Sequence, residues 1–178
     1  MSDAVTYETN GHVATITMNK PDRMNRLDVE IVDALHQSWK RFMATDGERV
    51  AVVAGNGRAF SAGADLNAIP HDLYRAIPGI GVSVDKPVVA AVQGWCVGGS
   101  MVLTTMCDLM VAADDAMFSY PEVKIGFSGG LISNLASRIP HKIAMELLLT
   151  GEPITAQRAY EVGYVNKLTP ADEVLSAA

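Results

Sequence analysis

Three segments of the chain combine small residues or a carboxylate with places where a strand is expected to end, and these segments could do chemistry. The first is residues 58–66, in which Gly63 lets the backbone turn sharply and approach a ligand closely. Backbone N–H groups exposed after such a glycine can bind an anion or a polarised carbonyl. The alternative is a tight strand-to-helix loop in which Asp65 caps a helix.

The second segment, residues 94–100, carries the consecutive glycines Gly98 and Gly99 between a predicted buried strand and a predicted helix. Free N–H groups at a helix N-terminus carry the positive end of the helix dipole and attract negative charge. Paired with an N–H group of the first segment, they would form an oxyanion hole for a carbonyl oxygen. Alternatively, the two glycines only allow the helix to pack closely against the sheet.

The third segment, residues 118–130, places Glu122 directly after Pro121 and among apolar residues. Removing a carboxylate from water raises its pKa and makes it a better base near neutral pH. Glu122 is therefore a candidate general base. The alternative is an exposed carboxylate beside Lys124.

The elements that must position these segments alternate between short apolar runs and amphipathic stretches. Residues 50–54 and 87–92 are continuous apolar runs, as expected of strands buried on both faces. Asp28 can cap a helix whose apolar positions recur at helical spacing up to Phe42. This alternation predicts an α/β fold with a mostly parallel sheet. The other predicted strands are residues 5–8, 13–18, 109–112 and 164–168, and the other predicted helices begin near Asp65 and Gly99 and span residues 141–149 and 155–162.

The sequence has no visible internal repeat or linker, so residues 1–178 are expected to form a single domain. Thr169 and Pro170 are typical of a helix start, with Thr as the N-cap and Pro at the first helical position. Because the chain then stops at Ala178, residues 169–178 are expected to be the start of a truncated C-terminal helical region. This end belongs either to a short natural form or to a fragment.

The composition argues against several classes of function. The formal net charge is -6 and Lys and Arg form no patch, so no nucleic-acid partner is expected. The two cysteines, Cys96 and Cys107, make no disulfide framework, which indicates a reducing compartment. We find no signal-peptide pattern and no apolar stretch of the roughly 18 residues that a membrane span needs, so we expect a soluble cytoplasmic protein. The histidines show no metal-ligand spacing, and no metal is expected.

Taken in order, the motifs resemble those of the enoyl-CoA hydratase/isomerase (crotonase) superfamily, and the resemblance covers nearly the whole chain. No single motif is specific, but their combination is. The motifs are Phe60-Ser-Ala-Gly-Ala-Asp-Leu66, Lys86-Pro-Val-Val-Ala-Ala-Val-Gln-Gly94, Gly98-Gly99, Pro121-Glu122 and Ile125-Gly126, supported by Asn19-Lys-Pro, Met24-Asn-Arg-Leu, Glu146-Leu-Leu-Leu-Thr-Gly151, Ala156-Gln-Arg-Ala and Gly163-Tyr-Val-Asn.

The resemblance implies a crotonase-like ββα superhelix that assembles as trimers or as dimers of trimers, and an enzyme that acts on an acyl-CoA thioester. It places the oxyanion-hole N–H groups on Ala64 and Gly99, which would hold the oxygen of an enolate-like thioester. Coenzyme A is part of the substrate in this family, so no separate cofactor is expected. The residues implied to contact coenzyme A, largely through their backbone, are Arg23, Met24, Ala62, Asp65, Leu66 and Gly98.

The sequence departs from the family's hydratases at one catalytic position. Those hydratases use two glutamates, and the position three residues after Gly99 is Val102 here, which can neither hold a water molecule nor move a proton. Glu122 remains as a single base, the pattern of family isomerases that move a proton from C2 to C4 of the acyl chain. We therefore expect enoyl-CoA isomerisation. The alternatives are an atypical hydratase or a related lyase or hydrolase, and a non-catalytic module that binds coenzyme A or another subunit.

The residues after Gly126 also depart from the family, which often has a Pro-Gly-Ala-Gly-Gly-like stretch there. Since this segment lines the acyl pocket in relatives, acyl specificity does not carry over. Ser128 and Tyr120 are polar candidates for contact with the substrate, or else local hydrogen-bonding groups. His71 and Tyr74 lie in the irregular stretch that covers the pocket in relatives and are further candidates.

Overall fold

The computed structural model describes residues 3–127 and 130–178, so Ser128 lies outside the described residues. The strands in these ranges are β1 (Val5–Asn10), β2 (Val13–Met18), β3 (Val50–Gly55), β4 (Ala59–Ser61), β5 (Val88–Val92), β6 (Trp95–Val97), β7 (Leu109–Ala113), β8 (Met117–Ser119), β9 (Ile154–Thr155) and β10 (Lys167–Thr169). The helices are α1 (Val29–Ala44), α2 (Gly99–Thr105), α3 (His141–Thr150), α4 (Ala156–Glu161) and α5 (Val174–Ala177).

The strands form two sheets. The larger sheet has the order β1-β2-β3-β5-β7-β10, in which β1 and β2 are antiparallel and the other neighbours are parallel. The smaller sheet has the order β4-β6-β8-β9, in which β8 and β9 are the antiparallel pair. The predicted α/β fold with a mostly parallel sheet is confirmed. As predicted, β5 is a continuous apolar strand, and all its residues are buried.

Consecutive strand pairs build a coil. In the pairs β3 and β4, β5 and β6, and β7 and β8, the first strand joins the larger sheet and the second joins the smaller. Because β4 and β6 are parallel neighbours, Ser61 lies opposite Cys96, and the loops that follow these two strands leave the sheet side by side. These are the loops that carry Gly63 and Gly98. The topology therefore brings together two segments that are more than 30 residues apart in the sequence.

Helix α1 supports one wall of the region above these loops. The Asp28 carboxylate accepts a hydrogen bond of 3.0 Å from the Ile31 N–H, so the predicted cap is confirmed. The fully buried Trp39 donates its indole N–H to the Ala76 carbonyl at 2.8 Å. This bond fixes the short 3-10 helix Leu73–Ala76 on the helix surface.

Some predicted elements differ from the structure for local reasons. The helix predicted near Asp65 is wrong, because the Asp65 carboxylate accepts from the Asn67 N–H at 3.2 Å and closes a turn instead. The last strand begins at Lys167 rather than at Tyr164, since the Tyr164 hydroxyl lies in the core, 2.9 Å from the Thr104 hydroxyl. Strands β4, β6, β8 and β9 have two or three residues each, too few to show a hydrophobic period.

The end of the chain follows the predicted helix start. A 3-10 helix covers Ala171–Glu173 and continues into α5, which contacts β7 and β10. Val174 is the residue of α5 that enters the core, with 3% of its surface exposed.

Asn25 joins the segment around Met24 to the rest of the fold. It is fully buried and has a left-handed backbone conformation with φ of 48°. Its side-chain amide donates to the carbonyls of Asn56, Ala59 and Phe60 at 2.9 Å, 3.0 Å and 3.2 Å. Its side-chain oxygen also accepts from the Lys20 N–H at 2.8 Å. One polar side chain thus fixes the loop that the sequence assigns to coenzyme A.

We expect Asn25→Ala to lower the free energy of unfolding by about 2–3 kcal/mol, because it leaves several buried backbone groups without a partner. The measurement is urea unfolding followed by circular dichroism. Asn67→Ala is the matched control, since Asn67 is exposed and its loss should change stability by less than about 0.5 kcal/mol. Equal losses in the two variants would contradict this role of Asn25.

Candidate functional site

The two glycine-containing loops and the segment around Glu122 surround one cavity of about 420 Å³. Ala64, Gly99 and Glu122 all line it, although they come from three separate parts of the chain. The sequence therefore identified three residues that the fold brings together. Their arrangement can be built up from the hydrogen bonds of each segment.

The first loop has one N–H group that is left without a partner. The Gly63 N–H donates to the Ser61 hydroxyl at 3.1 Å, and the Gly63 carbonyl accepts from the Leu27 N–H at 2.7 Å. The Asp65 N–H donates to the Leu27 carbonyl at 3.3 Å. Between them, the Ala64 N–H donates to none of the residues that the structure describes. It remains available to a ligand in the cavity.

The second loop has a similar free donor at the start of α2. The Gly98 N–H is taken by the Ser119 carbonyl at 2.9 Å, whereas the Gly99 N–H has no acceptor within residues 3–127 and 130–178. The two loops are in contact, since a Cβ placed on Gly63 would lie 3.5 Å from the Gly99 nitrogen. Two unpaired backbone donors therefore face the same cavity, the arrangement that binds a carbonyl oxygen as negative charge develops on it.

Glu122 lies in the 3-10 helix Pro121–Ile125, beside these donors. A Cβ on Gly98 would lie 2.5 Å from its Oε1 atom, so only glycine permits this approach of the carboxylate to the loop. Its Oε2 atom is buried and has no hydrogen-bond partner among the described residues. Burial raises the pKa of Glu122 to about 7, which suits a general base near neutral pH. Lys124 instead pairs with Glu152 at 2.8 Å.

Hydratases of the resembled family have a glutamate three residues after Gly99. Here that position is occupied by the apolar residue Val102. Val102 lies about one helical turn from Gly99, lines the cavity and is 7% exposed. Tyr120 also lines the cavity, and 4% of its surface is exposed. Burial and the charge of Glu122 raise the pKa of Tyr120 to about 12, so its hydroxyl keeps its proton at neutral pH.

The rest of the lining is mostly apolar and includes Tyr74, one of the candidates from the irregular stretch. Leu73 and Tyr74 come from the short 3-10 helix, and Ile125 and Leu131 come from the segment after Glu122. His71, which the sequence raised as a candidate, does not line the cavity. An apolar wall around one carboxylate is suited to a hydrocarbon acyl chain.

An adjoining cleft of about 430 Å³ contains most of the residues predicted to contact coenzyme A. Ala64 and Leu66 line both the cleft and the cavity, so the two are continuous. Arg26, which the sequence did not single out although it lies in the Met24-Asn-Arg-Leu motif, also lines the cleft, with its Nε atom 3.3 Å from Asp65 Oδ2. The predicted contacts that line the cleft are Arg23, Met24, Ala62, Asp65 and Leu66.

Gly98 lines neither space, and its own N–H is already bonded to Ser119. Its role as a coenzyme A contact stays a prediction, while its close approach to Glu122 is evident. Cys96 is fully buried, and burial raises the pKa of its thiol to about 11, so it is poorly suited to act as a nucleophile.

Among residues 3–127 and 130–178, no group of three or more His, Cys, Asp or Glu side chains could hold a metal ion. No helix in the same ranges has the length and apolar character needed to cross a membrane.

Known proteins resemble this chain in sequence and in structure. The chain is 36% identical over 176 residues to the (E)-benzylidenesuccinyl-CoA hydratase of Thauera aromatica, a match that covers 91% of this chain and 68% of that protein. It is 32% identical over 179 residues to the mitochondrial enoyl-CoA hydratase of Pongo abelii, covering 95% of this chain and 62% of that enzyme. The crystal structure of enoyl-CoA hydratase from Mycobacterium tuberculosis H37Rv matches with a TM-score of 0.89 and 34% identity, covering 99% of this chain and 73% of that one.

The family assignment follows from the extent of these matches. The chain spans 62% to 73% of the length of the three proteins, and nearly all of it aligns with each. The shared fold confirms the crotonase-like architecture expected from the motifs. Residues 8–178 match the family described as Enoyl-CoA hydratase/isomerase, and the chain therefore belongs to this family of enzymes.

Proposed function

We propose that the protein isomerises enoyl-CoA thioesters, moving the double bond of a 3-enoyl-CoA into conjugation with the thioester. The observation that supports this reaction is the single carboxylate of the cavity: Glu122 faces it, and Val102 occupies the position where a second carboxylate would be needed. Moving a proton between two carbons of one substrate requires one base and a stabilised enolate. It requires no second carboxylate to activate water.

The enolate would be stabilised by the backbone. In the proposed complex, the thioester oxygen accepts hydrogen bonds from the N–H groups of Ala64 and Gly99, both of which lack other partners among the described residues. When the proton leaves C2, negative charge moves onto this oxygen. A fixed donor at such an oxygen typically lowers the barrier by roughly 3 kcal/mol.

The proton would be carried by Glu122. The carboxylate removes a proton from C2, the electron pair of that C–H bond enters the dienolate, and the protonated Glu122 returns the proton to C4. The double bond then lies between C2 and C3. A pKa of about 7 favours both steps, since the carboxylate is basic enough to accept the proton and acidic enough to release it.

The coenzyme A part of the substrate would occupy the cleft beside the cavity. Arg23 and Arg26 line this cleft and could pair with the phosphates, while Met24 and Leu66 offer apolar contacts to the pantetheine arm. The reaction requires no cofactor besides the coenzyme A of the substrate itself. We also propose that the protein is cytoplasmic and assembles as a trimer or hexamer, as the resemblance to the family implies.

Hydration of a 2-enoyl-CoA is the second candidate reaction. The relatives are named as hydratases, and Tyr120 lines the same cavity as Glu122. Hydration nevertheless needs a water molecule to be held in place, and Val102 cannot hold one.

We expect Glu122→Gln to lower the rate of isomerisation of a 3-enoyl-CoA by about 10²- to 10⁴-fold, because the amide cannot accept the proton. The measurement is the absorbance of the conjugated product, with mass spectrometry to confirm that the mass does not change. Glu161→Gln is the matched control, since Glu161 is exposed on α4 and pairs with Arg158. Unchanged turnover in Glu122→Gln would rule out the proposed base. Acyl-CoA binding by calorimetry without turnover would favour a binding module.

The pH dependence of kcat/KM should report the same group. Because burial raises the pKa of Glu122 to about 7 and the carboxylate is the active form, the rate should rise from about pH 6 to about pH 8 and then level off. A carboxyl group with its ordinary pKa would give a flat profile over this range. A flat profile would therefore show that Glu122 is not the base or is not desolvated.

The approach of Glu122 to the glycine loop can be tested with Gly98→Ala. The new Cβ would lie 2.5 Å from Glu122 Oε1 and should displace the base, lowering kcat by about 10²-fold. Gly11→Ala is the control, because Gly11 has φ of 58°, close to the 57° of Gly98, but has no atom near its Cβ position. Gly98→Ala should also lose more stability than Gly11→Ala, because Gly98 combines φ of 57° with ψ of -120°, outside the left-handed region that residues with a Cβ can adopt. Equal kcat values would exclude this contact as a determinant of activity.

A further inference from the structure

Leu27 contacts both of the loops that supply the unpaired backbone donors. Its side chain is fully buried, and the residue lines neither the cavity nor the adjoining cleft. It therefore lies outside the space that a substrate can occupy. Leu27 comes from the segment that connects Asn25 to the Asp28 cap of α1, and the side chains of both these residues form hydrogen bonds with the backbone. The chain is thus fixed on both sides of Leu27.

The main chain of Leu27 determines the direction of the Ala64 N–H group. Leu27 and Ala64 form an isolated parallel β-bridge. The Leu27 N–H donates to the Gly63 carbonyl at 2.7 Å, and the Leu27 carbonyl accepts from the Asp65 N–H at 3.3 Å. In a parallel bridge, one residue bonds to both neighbours of the residue that it faces, and the N–H group of the faced residue points to the opposite side. The Ala64 N–H is therefore left unpaired because Leu27 holds the residues before and after it.

The side chain of Leu27 supports the second donor. A Cβ placed on Gly99 would lie 3.3 Å from Leu27 Cδ1, so this side chain packs directly against the backbone that carries the Gly99 N–H. The next atom near this position is Leu73 Cδ2, at 3.5 Å. Gly99 is buried at the start of α2, and close packing of this kind leaves it little room to move. Leu27 therefore holds one donor through its main chain and the other through its side chain.

We propose that Leu27 is a positioning residue of the oxyanion hole, which sets the separation of the Ala64 and Gly99 N–H groups so that both reach one thioester oxygen. This inference rests on the proposed function, because that function places the oxygen between these donors. A donor stabilises the oxyanion when it lies roughly 2.7–3.1 Å away, and a misplacement of about 1 Å can lower a rate about 10²-fold. Removing the Leu27 side chain would keep both main-chain hydrogen bonds and release Gly99 alone.

The first test compares Leu27→Ala with Leu35→Ala in the full chain. Leu35 is the matched control, because it is also fully buried but lies on α1 and does not line the cavity. Both variants remove the same side chain from the core and should lose stability to a similar extent. We expect Leu27→Ala to lower kcat for a 3-enoyl-CoA by about tenfold or more and to change KM by less than about threefold. Leu35→Ala should keep the wild-type kcat at a temperature where circular dichroism shows both variants to be folded.

The second measurement needs no turnover. Hexanoyl-CoA labelled with ¹³C at its thioester carbonyl is bound to each protein, and infrared difference spectroscopy records the carbonyl stretching frequency. Hydrogen bonds to the oxygen weaken the C=O bond and lower this frequency. We expect the full downward shift with the wild-type protein and with Leu35→Ala, and at most about half of it with Leu27→Ala, because one of the two donors is displaced. A loss of stability alone would leave the shift unchanged.

A pair of compensating changes tests the contact itself and does not depend on the folding of Leu27→Ala. Leu27→Val shortens the side chain by one carbon atom, and Gly99→Ala adds one at the point of contact. Gly99 does not have a positive φ, so alanine suits its backbone. Each single variant should lower kcat, and the double variant should recover it to within about threefold of wild type, because the pair conserves volume. A double variant no more active than the singles would contradict this contact.

The outcomes separate the two proposals. An undiminished carbonyl shift in Leu27→Ala would overturn the inference about Leu27 and leave the isomerase proposal standing, and so would equal losses of kcat in Leu27→Ala and Leu35→Ala. The absence of any shift in the wild-type protein would also overturn the inference. A wild-type protein that shifts the carbonyl frequency without isomerising a 3-enoyl-CoA would instead contradict the proposed function, and a diminished shift in Leu27→Ala would still support the role of Leu27.

Discussion

The close contact between two backbone loops is the constraint on which the rest of the site depends. A Cβ on Gly63 would lie 2.5 Å from the Val97 carbonyl oxygen, so a side chain at this position would force the loops apart. The parallel pairing of β4 with β6 brings the loops to this distance, and the Ser100 hydroxyl joins them by donating to the Ser61 carbonyl at 3.2 Å. The two unpaired donors can face one point in the cavity only because nothing larger than a hydrogen atom stands between the loops.

The carboxylate of Glu122, beside these donors, lies in surroundings that disfavour its negative charge. The cavity that Glu122 lines has mostly apolar walls, and its Oε2 atom has no partner among the described residues. This surrounding destabilises the charged form, which is why the pKa of Glu122 rises to about 7. A paired or solvated carboxylate would be a weaker base. The missing partner is therefore consistent with a reactive role rather than a structural one.

Sequence reasoning predicted the parts of this arrangement that depend on local residue types. The N-cap and the hydrophobic periodicity of a long element such as α1 are visible in the sequence. The glycines of the two loops indicate where backbone groups could be free. The ion pair between Lys124 and Glu152 could not be predicted from the sequence, because Glu152 comes from a distant loop. The burial of Tyr120 and Glu122 could not be predicted from the sequence either, since the lining around them comes from several separate segments. Strands of two or three residues, such as β9, have no periodicity to detect.

The two donors that face the cavity belong to the main chain, and this has a consequence for how the site can change during evolution. No single substitution can delete an N–H group of Ala64 or Gly99, short of introducing proline. Point mutation therefore acts on the side chains around a fixed anion-binding centre, at positions such as 102, 120 and 122. New chemistry on the same thioester can arise there one residue at a time, while the ability to stabilise the enolate is inherited with the backbone.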